Sequence, residues 1–319
     1  MNGGTILLET ARDILRMGRP GLVFGASLLY LAGALLAVLL GADVSIDRFL
    51  LGYLIFITAL LSIPFGNDYF DAATDVLGES TPYSGGTGVL LRNPGLKRFA
   101  FTFSLAMVFV SISLAIAYVL VFPSTMERSA LFLSYVVGSN ALAWSYSAPP
   151  VRLGFRGLGE PATAAGIGFL TPGMGYLAMA GGLDQNFLLF SVPLLCYGAG
   201  FILSVQMPDI EADLRAGKNT LVSRKGRRFA AAAIAALFLV ASGSFTVLSL
   251  SGLIAGIDLR PVAAFSVLPA FFGVRGLLRP PADRPDSAAT MNTHVVSMMA
   301  LVLFTDVYFV LLARGTDFS

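Results

Sequence analysis

Long runs without Asp, Glu, Lys or Arg constrain this chain more than any single motif does. Seven occur, at 20–42, 49–67, 99–126, 129–151, 161–183, 185–208 and 229–257. A helix rises 1.5 Å per residue, so each run is about long enough to cross the ~30 Å hydrocarbon layer. Two further runs are interrupted once. Arg275 lies near the end of 261–278, where a long side chain snorkels to the interface, and Asp306 lies inside 287–313. The reading is an all-α, multi-pass protein of the cell (plasma) membrane with nine transmembrane helices. Composition agrees, since 56% of the 319 residues are hydrophobic and 13% charged, whereas soluble domains carry about 25% charged residues. An ordinary soluble globule is excluded. The first run is also too long, and begins too late after Arg12, Arg16 and Arg19, for a cleaved signal peptide.

Cytoplasmic loops retain Lys and Arg, so the placement of the cations sets the orientation. Seventeen of the 21 fall at the N-terminus or in the loops after the second, fourth, sixth and eighth runs; Arg48, Arg128, Arg260 and Arg314 fall on the other side. The N-terminus is therefore expected in the cytoplasm and the C-terminus outside. The loops on the cationic side are also the longer ones, notably 68–98 and 209–228, and function concentrates in such loops. A net charge of +2 gives no reason to expect nucleic acid as a partner. The single cysteine, Cys196, excludes an intramolecular disulfide and a multi-thiolate zinc site. The single histidine, His294, excludes a His-cluster metal site and argues against a Ser-His-Asp triad. Cys196 reads as a small buried hydrophobe, His294 as an interfacial residue, and Asp306 as a structural or protonated carboxylate.

Acidic residues gather where two even-numbered runs end. Asn67, Asp71 and Asp75 stand at i, i+4 and i+8, which places them on one helix face about 6 Å apart. Such a stripe repels itself unless a cation lies among its oxygens. Asp209 and Asp213 repeat the i, i+4 spacing on the same side of the membrane, offset by 142 residues from Asn67 and Asp71, as an internal duplication would leave them. Carboxylate and amide oxygens without His or Cys select Mg²⁺ or Ca²⁺. Two facing clusters suit Mg²⁺ bridged by a diphosphate, with nearby Arg and Lys neutralising the remaining charge. An anionic, metal-chelated head group on a lipid tail is the ligand this arrangement suggests.

These residues resemble the UbiA superfamily of intramembrane prenyltransferases. The first family motif, Asn-x-x-x-Asp-x-x-x-Asp, is matched by Asn67, Asp71 and Asp75 with Asp68 in its usual place. The second is matched by Asp209, Asp213 and Gly217, and a Tyr-Ser-x-x-Pro signature by Tyr146-Ser147-Ala148-Pro149-Pro150, continuing to Arg152 and Gly157-Leu158-Gly159-Glu160. The resemblance runs from Arg19-Pro20 to the last helix and implies a single domain over 1–319. It further implies an enzyme active at the cytoplasmic side, with Mg²⁺ holding a polyprenyl diphosphate between the motifs and the tail opening toward membrane lipid. An aromatic acceptor then attacks the allylic cation left when diphosphate departs.

Carried over residue by residue, the metal ligands are Asn67, Asp68, Asp71, Asp75, Asp209 and Asp213, with Asp71 and Asp213 the catalytic pair. Substrate contacts fall to Arg19, Arg92, Arg152, Arg156 and Lys218, although the positive-inside rule alone accounts for such cations. Tyr146 and Ser147 would line the acceptor or diphosphate pocket, or simply end a helix before Pro149. The segment Tyr83-Ser84-Gly85-Gly86-Thr87-Gly88-Val89-Leu90 offers backbone amides that could cradle phosphate, but reads as a flexible cap over the site, because it lacks the Gly-Lys-Ser/Thr ending of a P-loop.

The stretch Gly217-Lys218-Asn219-Thr220-Leu221-Val222, with Arg224 and Gly226, looks most like the branch that prenylates 1,4-dihydroxy-2-naphthoate for menaquinone. Where that branch commonly has Asn-Asn-x-Arg, this chain has Val205-Gln206-Met207-Pro208. The acceptor thus stays open to 4-hydroxybenzoate, homogentisate, a tetrapyrrole or glycerol phosphate. A secondary transporter is the reading from another class, but transporters place coupling carboxylates near the midplane, and both clusters here lie at the membrane edge. A phosphatidyltransferase would need an Asp-Gly-x-x-Ala-Arg continuation that is missing.

Overall fold

A computed structural model of the chain describes residues 3–75, 83, 86–254 and 256–316, with the side chains of 3–6, 73, 75, 315 and 316 left aside. Ser84 and Gly85 lie outside the described residues. Among the described residues the chain is helical, with no strand. Hydrocarbon offers the backbone no partners, so each spanning segment must satisfy its own N–H and C=O groups, and helices do so. In order the helices are α1 (Gly3–Met17), α2 (Pro20–Leu39), α3 (Ile46–Asp75), α4 (Val89–Arg92), α5 (Lys97–Val121), α6 (Met126–Ser147) and α7 (Gly159–Ala165). There follow α8 (Thr171–Ala180), α9 (Gln185–Gln206), α10 (Ile210–Arg215), α11 (Leu221–Ser251), α12 (Arg260–Phe265), α13 (Val267–Leu278) and α14 (Arg284–Thr316).

Seven helical segments among the described residues are long and apolar enough to cross a membrane: Pro20–Leu39, Ile46–Ala72, Pro94–Val121, Gln185–Arg215, Leu221–Ser251, Arg260–Leu278 and Arg284–Arg314. The two other predicted spans differ for separate reasons. Helix α6 carries Glu127, Arg128, Ser134, Ser139, Asn140 and Ser145 along its length, which dilutes its apolar character. The run 161–183 is broken into α7 and α8 by a five-residue π segment, Gly166–Leu170. A π turn shifts the hydrogen-bond register, and here Tyr135 of α6 donates to Phe169 O and Leu170 O, each at 3.0 Å.

Two apolar cores flank a central space. One joins α9, α11 and α14 through Phe190, Ile234, Phe238, Phe245 and Phe309; the other joins α2, α3, α5, α6 and α8 through Tyr30, Ile55, Tyr118, Phe132 and Leu177. Close approach of α2 to α8 depends on two glycines. A Cβ on Gly33 would strike the backbone of Pro172, and one on Gly175 the backbone of Tyr30. Small residues at such crossings let helices pack in lipid, where van der Waals contact rather than water drives association.

Four details bear on the sequence reading. The N-terminal α1 is an added helix, with Met17 buried and Leu7, Leu8 and Leu15 exposed. His294 is 1% exposed and bonded to Ser204 Oγ at 3.0 Å, so it belongs to the helix core and not to the interface. Cys196 is half-buried. Asp306 is buried with neither carboxylate oxygen bonded.

Candidate active site at the ends of α3 and α9

Helix α3 runs without interruption to Asp75, so Asn67, Asp68 and Asp71 project from a continuous rod. The Asp75 side chain lies outside the described residues. Asp68 is 3% exposed and held by two distant segments. Arg19 approaches its Oδ1 at 3.4 Å, and Thr87 bonds to it through both its hydroxyl and its N–H. Arg19 sits at the α1–α2 junction with φ +47°, a left-handed conformation uncommon outside glycine. Asp71 Oδ2 accepts from Ser147 Oγ at 3.2 Å and lies 3.3 Å from Lys218 Nζ. Its other oxygen is buried without a partner.

The second motif is built by a break in α9. Pro208 cannot donate a backbone hydrogen bond, and the chain tightens into a 3₁₀ turn, Met207–Asp209, before α10. Asp209 and Asp213 therefore straddle two short helical pieces. Gly217, at φ +68°, reverses the chain after α10, and Lys218 N then donates to Asp213 O at 2.9 Å. Thr220 Oγ1 serves twice. It donates to Asp213 Oδ2 at 3.3 Å and accepts from Ser223 N at 3.1 Å, capping α11. The Tyr-Ser-x-x-Pro region closes on the same loop, since Asn219 N donates to Phe155 O and Leu221 N to Glu160 Oε1.

Both motifs open on one cavity of about 480 Å³. Asn67, Asp68, Asp71, Asp209, Asp213, Arg19, Lys218, Tyr146 and Ser147 line its polar end. Ile55, Phe56, Leu60, Leu170, Met174, Phe201, Met298 and Val302 line the rest. Three of the predicted cations are elsewhere. Arg92 reaches toward Asp13 at 3.9 Å, Arg156 donates to Pro150 O at 2.7 Å, and Arg152 lies flat on Phe155 at 3.8 Å from the ring centre. None of the three lines the cavity. Sequence reasoning missed Thr87 as a partner of Asp68 and Thr220 as a partner of Asp213. The N-cap position of Thr220 ahead of α11 was a usable signal for the second.

Among the described residues no three His, Cys, Asp or Glu side chains come together as a metal cage. The donor set instead fits a small hard cation shared between protein and ligand, which takes one or two carboxylates plus phosphate oxygens. The unpartnered Asp71 oxygen and the Lys218 ammonium beside its twin show that this carboxylate draws positive charge.

No curated protein matches the sequence. Solved structures do match the fold. A UbiA homologue from Archaeoglobus fulgidus bound to DMAPP and Mg²⁺ is 16% identical with a TM-score of 0.64, over 91% of this chain and 99% of that one. An apo UbiA homologue from Aeropyrum pernix K1 is 17% identical with a TM-score of 0.65, over 90% and 96%. A structure of digeranylgeranylglyceryl phosphate synthase is 16% identical with a TM-score of 0.63, over 94% and 98%. At these identities the likeness establishes the fold. The model of the UbiA prenyltransferase family matches residues 26–299, a stretch that holds both acidic motifs, and the chain belongs to that family.

Proposed function

We propose that the protein transfers a polyprenyl group from a prenyl diphosphate to an aromatic acceptor, and that the acceptor is 1,4-dihydroxy-2-naphthoate, as in menaquinone biosynthesis. The observation that carries this reading is one cavity with two acidic motifs at its polar end and apolar walls beyond them. The Archaeoglobus fulgidus homologue bound to DMAPP and Mg²⁺ supports the choice of donor and cofactor. Asn67, Asp71, Asp209 and Asp213 would hold Mg²⁺, with Asp75 following on the same stripe. Asp68, already bonded to Arg19 and Thr87, serves to fix Arg19. When bound, Mg²⁺ neutralises charge on the departing diphosphate.

The chain's own residues do the rest. Lys218 and Arg19 bring cations to the polar end, where they stabilise negative charge that grows as the C–O bond breaks. Ser147 holds Asp71 in place. The apolar walls accept the prenyl tail and keep water from the allylic cation. On this reading helix α6 and the broken α7–α8 segment complete nine spans of a single domain over 1–319 in the plasma membrane, and the cation asymmetry supports a cytoplasmic N-terminus.

The test is release of diphosphate from a prenyl diphosphate by the purified protein with acceptor present. Mg²⁺ is expected to be required, and Asp71→Ala and Asp213→Ala are expected to lose at least a hundredfold in rate. Unchanged turnover in either variant would exclude the metal assignment. Likeness to digeranylgeranylglyceryl phosphate synthase and Pro208 in place of Arg favour a glycerol phosphate acceptor as the second reading. Mass spectrometry of the lipid products from both acceptors decides between them.

A further inference from the structure

Beyond the charged groups at the polar end, three atoms of cavity-lining residues are buried without a hydrogen-bond partner: Ser139 Oγ and Asn140 Oδ1 on α6, and Gln206 Oε1 at the end of α9. A hydrocarbon tail satisfies none of them, and buried polar atoms in folded proteins are nearly always paired. The cavity is therefore built for a second ligand that brings hydrogen-bond donors. Asn140 lies two helical turns before Ser147, about 10 Å along the axis, and its Nδ2 is committed to Ser111 Oγ and Val136 O, while its Oδ1 is unpaired. Gln206 lies closer to the chemistry. It is 6% exposed and stands three residues before Asp209 on the cavity wall. A group bonded to it sits on the cavity wall about one helical turn before Asp209.

We propose that Gln206 is an acceptor-binding residue whose side-chain carbonyl takes a hydrogen bond from a hydroxyl of the aromatic acceptor. The inference rests on the prenyl-transfer reading above and adds a residue that recognises the acceptor. A hydroxyl held there presents its ring to the prenyl carbon, so Gln206 selects hydroxylated arenes over arenes of the same shape without the O–H.

The experiment removes the bond from both sides. Protein in detergent, loaded with Mg²⁺ and a non-reactive thio analogue of a prenyl diphosphate, is titrated with 1,4-dihydroxynaphthalene and with 1,4-dimethoxynaphthalene, for wild type and Gln206→Met. The dihydroxy compound is expected to bind Gln206→Met about tenfold more weakly than wild type, the scale of one hydrogen bond, and the dimethoxy compound to bind both alike. Equal binding of the dihydroxy compound to both proteins overturns the assignment, as does an equal loss for both compounds, which would mean shape alone or a resident water on Gln206. If Gln206→Met does not fold, Gln206→Leu carries the same comparison. Binding of the thio analogue to wild type separates the two failures. Its absence sinks the prenyl-transfer reading, while its presence without any arene preference sinks the role of Gln206 alone.

Discussion

The two acidic motifs share one cavity but are held in different ways. At the end of α3, Asp68 and Asp71 are held across the sequence, by Arg19 from the α1–α2 junction, Thr87 from the segment before α4, Ser147 from α6 and Lys218 from beyond α10. At the end of α9, Asp213 is held by its near neighbour Thr220, whose hydroxyl also caps the next helix. The carboxylates of the first motif are thus held by separate segments, whereas the Asp213 carboxylate of the second takes its hydrogen bond from its own turn. Disturbing a partner of the first should reach other parts of the bundle, whereas disturbing the second should stay local.

Four variants test that contrast, in order of expected effect. Lys218→Met removes a cation from the cavity and strips Asp71 of its ion-pair partner. Its rate of diphosphate release is expected to fall by about a hundredfold or more, the scale of losing one preorganised charge-stabilising donor. Arg19→Met frees Asp68 and is expected to lower the rate by roughly tenfold to a hundredfold, since bonds to charged groups contribute about 1.5–3 kcal/mol. A change of less than twofold would show that Asp68 does not depend on it. Thr220→Val removes both the bond to Asp213 and the cap of α11. A rate loss of about tenfold is expected, with a midpoint of thermal unfolding lowered by the equivalent of about 1 kcal/mol. An effect larger than that of Arg19→Met would reverse the contrast. Arg92→Ala touches only an exposed, 3.9 Å ion pair with Asp13, and such pairs contribute about 0–1 kcal/mol. Its rate is expected to stay within about twofold of wild type.

Much of this was legible in the sequence because it depends on period and length. Apolar runs mark helices, and acids at i, i+4 mark one face; Asn67 and Asp71 line the cavity from one face of α3, while Asp209 and Asp213 reach it across the break between the 3₁₀ turn and α10. What escaped depends on tertiary placement. Arg92, Arg152 and Arg156 are indistinguishable from Arg19 in a one-dimensional count of basic residues, because every cytoplasmic loop is expected to be basic. Only the fold shows which cations turn inward. Thr87 and Gln206 carry no charge and no periodic signal, so their roles appear once neighbours from distant segments are in place. The π segment at Gly166–Leu170 was equally hidden, since an apolar run reads the same whether or not its hydrogen-bond register slips.

That slip bears on how the chain enters the membrane. Tyr135 supplies the hydrogen bonds for the carbonyls of Phe169 and Leu170, and a carbonyl left unpaired inside a membrane costs several kcal/mol. On the nine-span reading, the fifth segment to leave the translocation machinery carries carbonyls whose donor lies on another segment. Its donor comes from the fourth, which precedes it in synthesis and is already there to receive it. Chain order and hydrogen-bond demand therefore agree, and a swap of these two segments in an engineered permutation should insert poorly even with every residue kept.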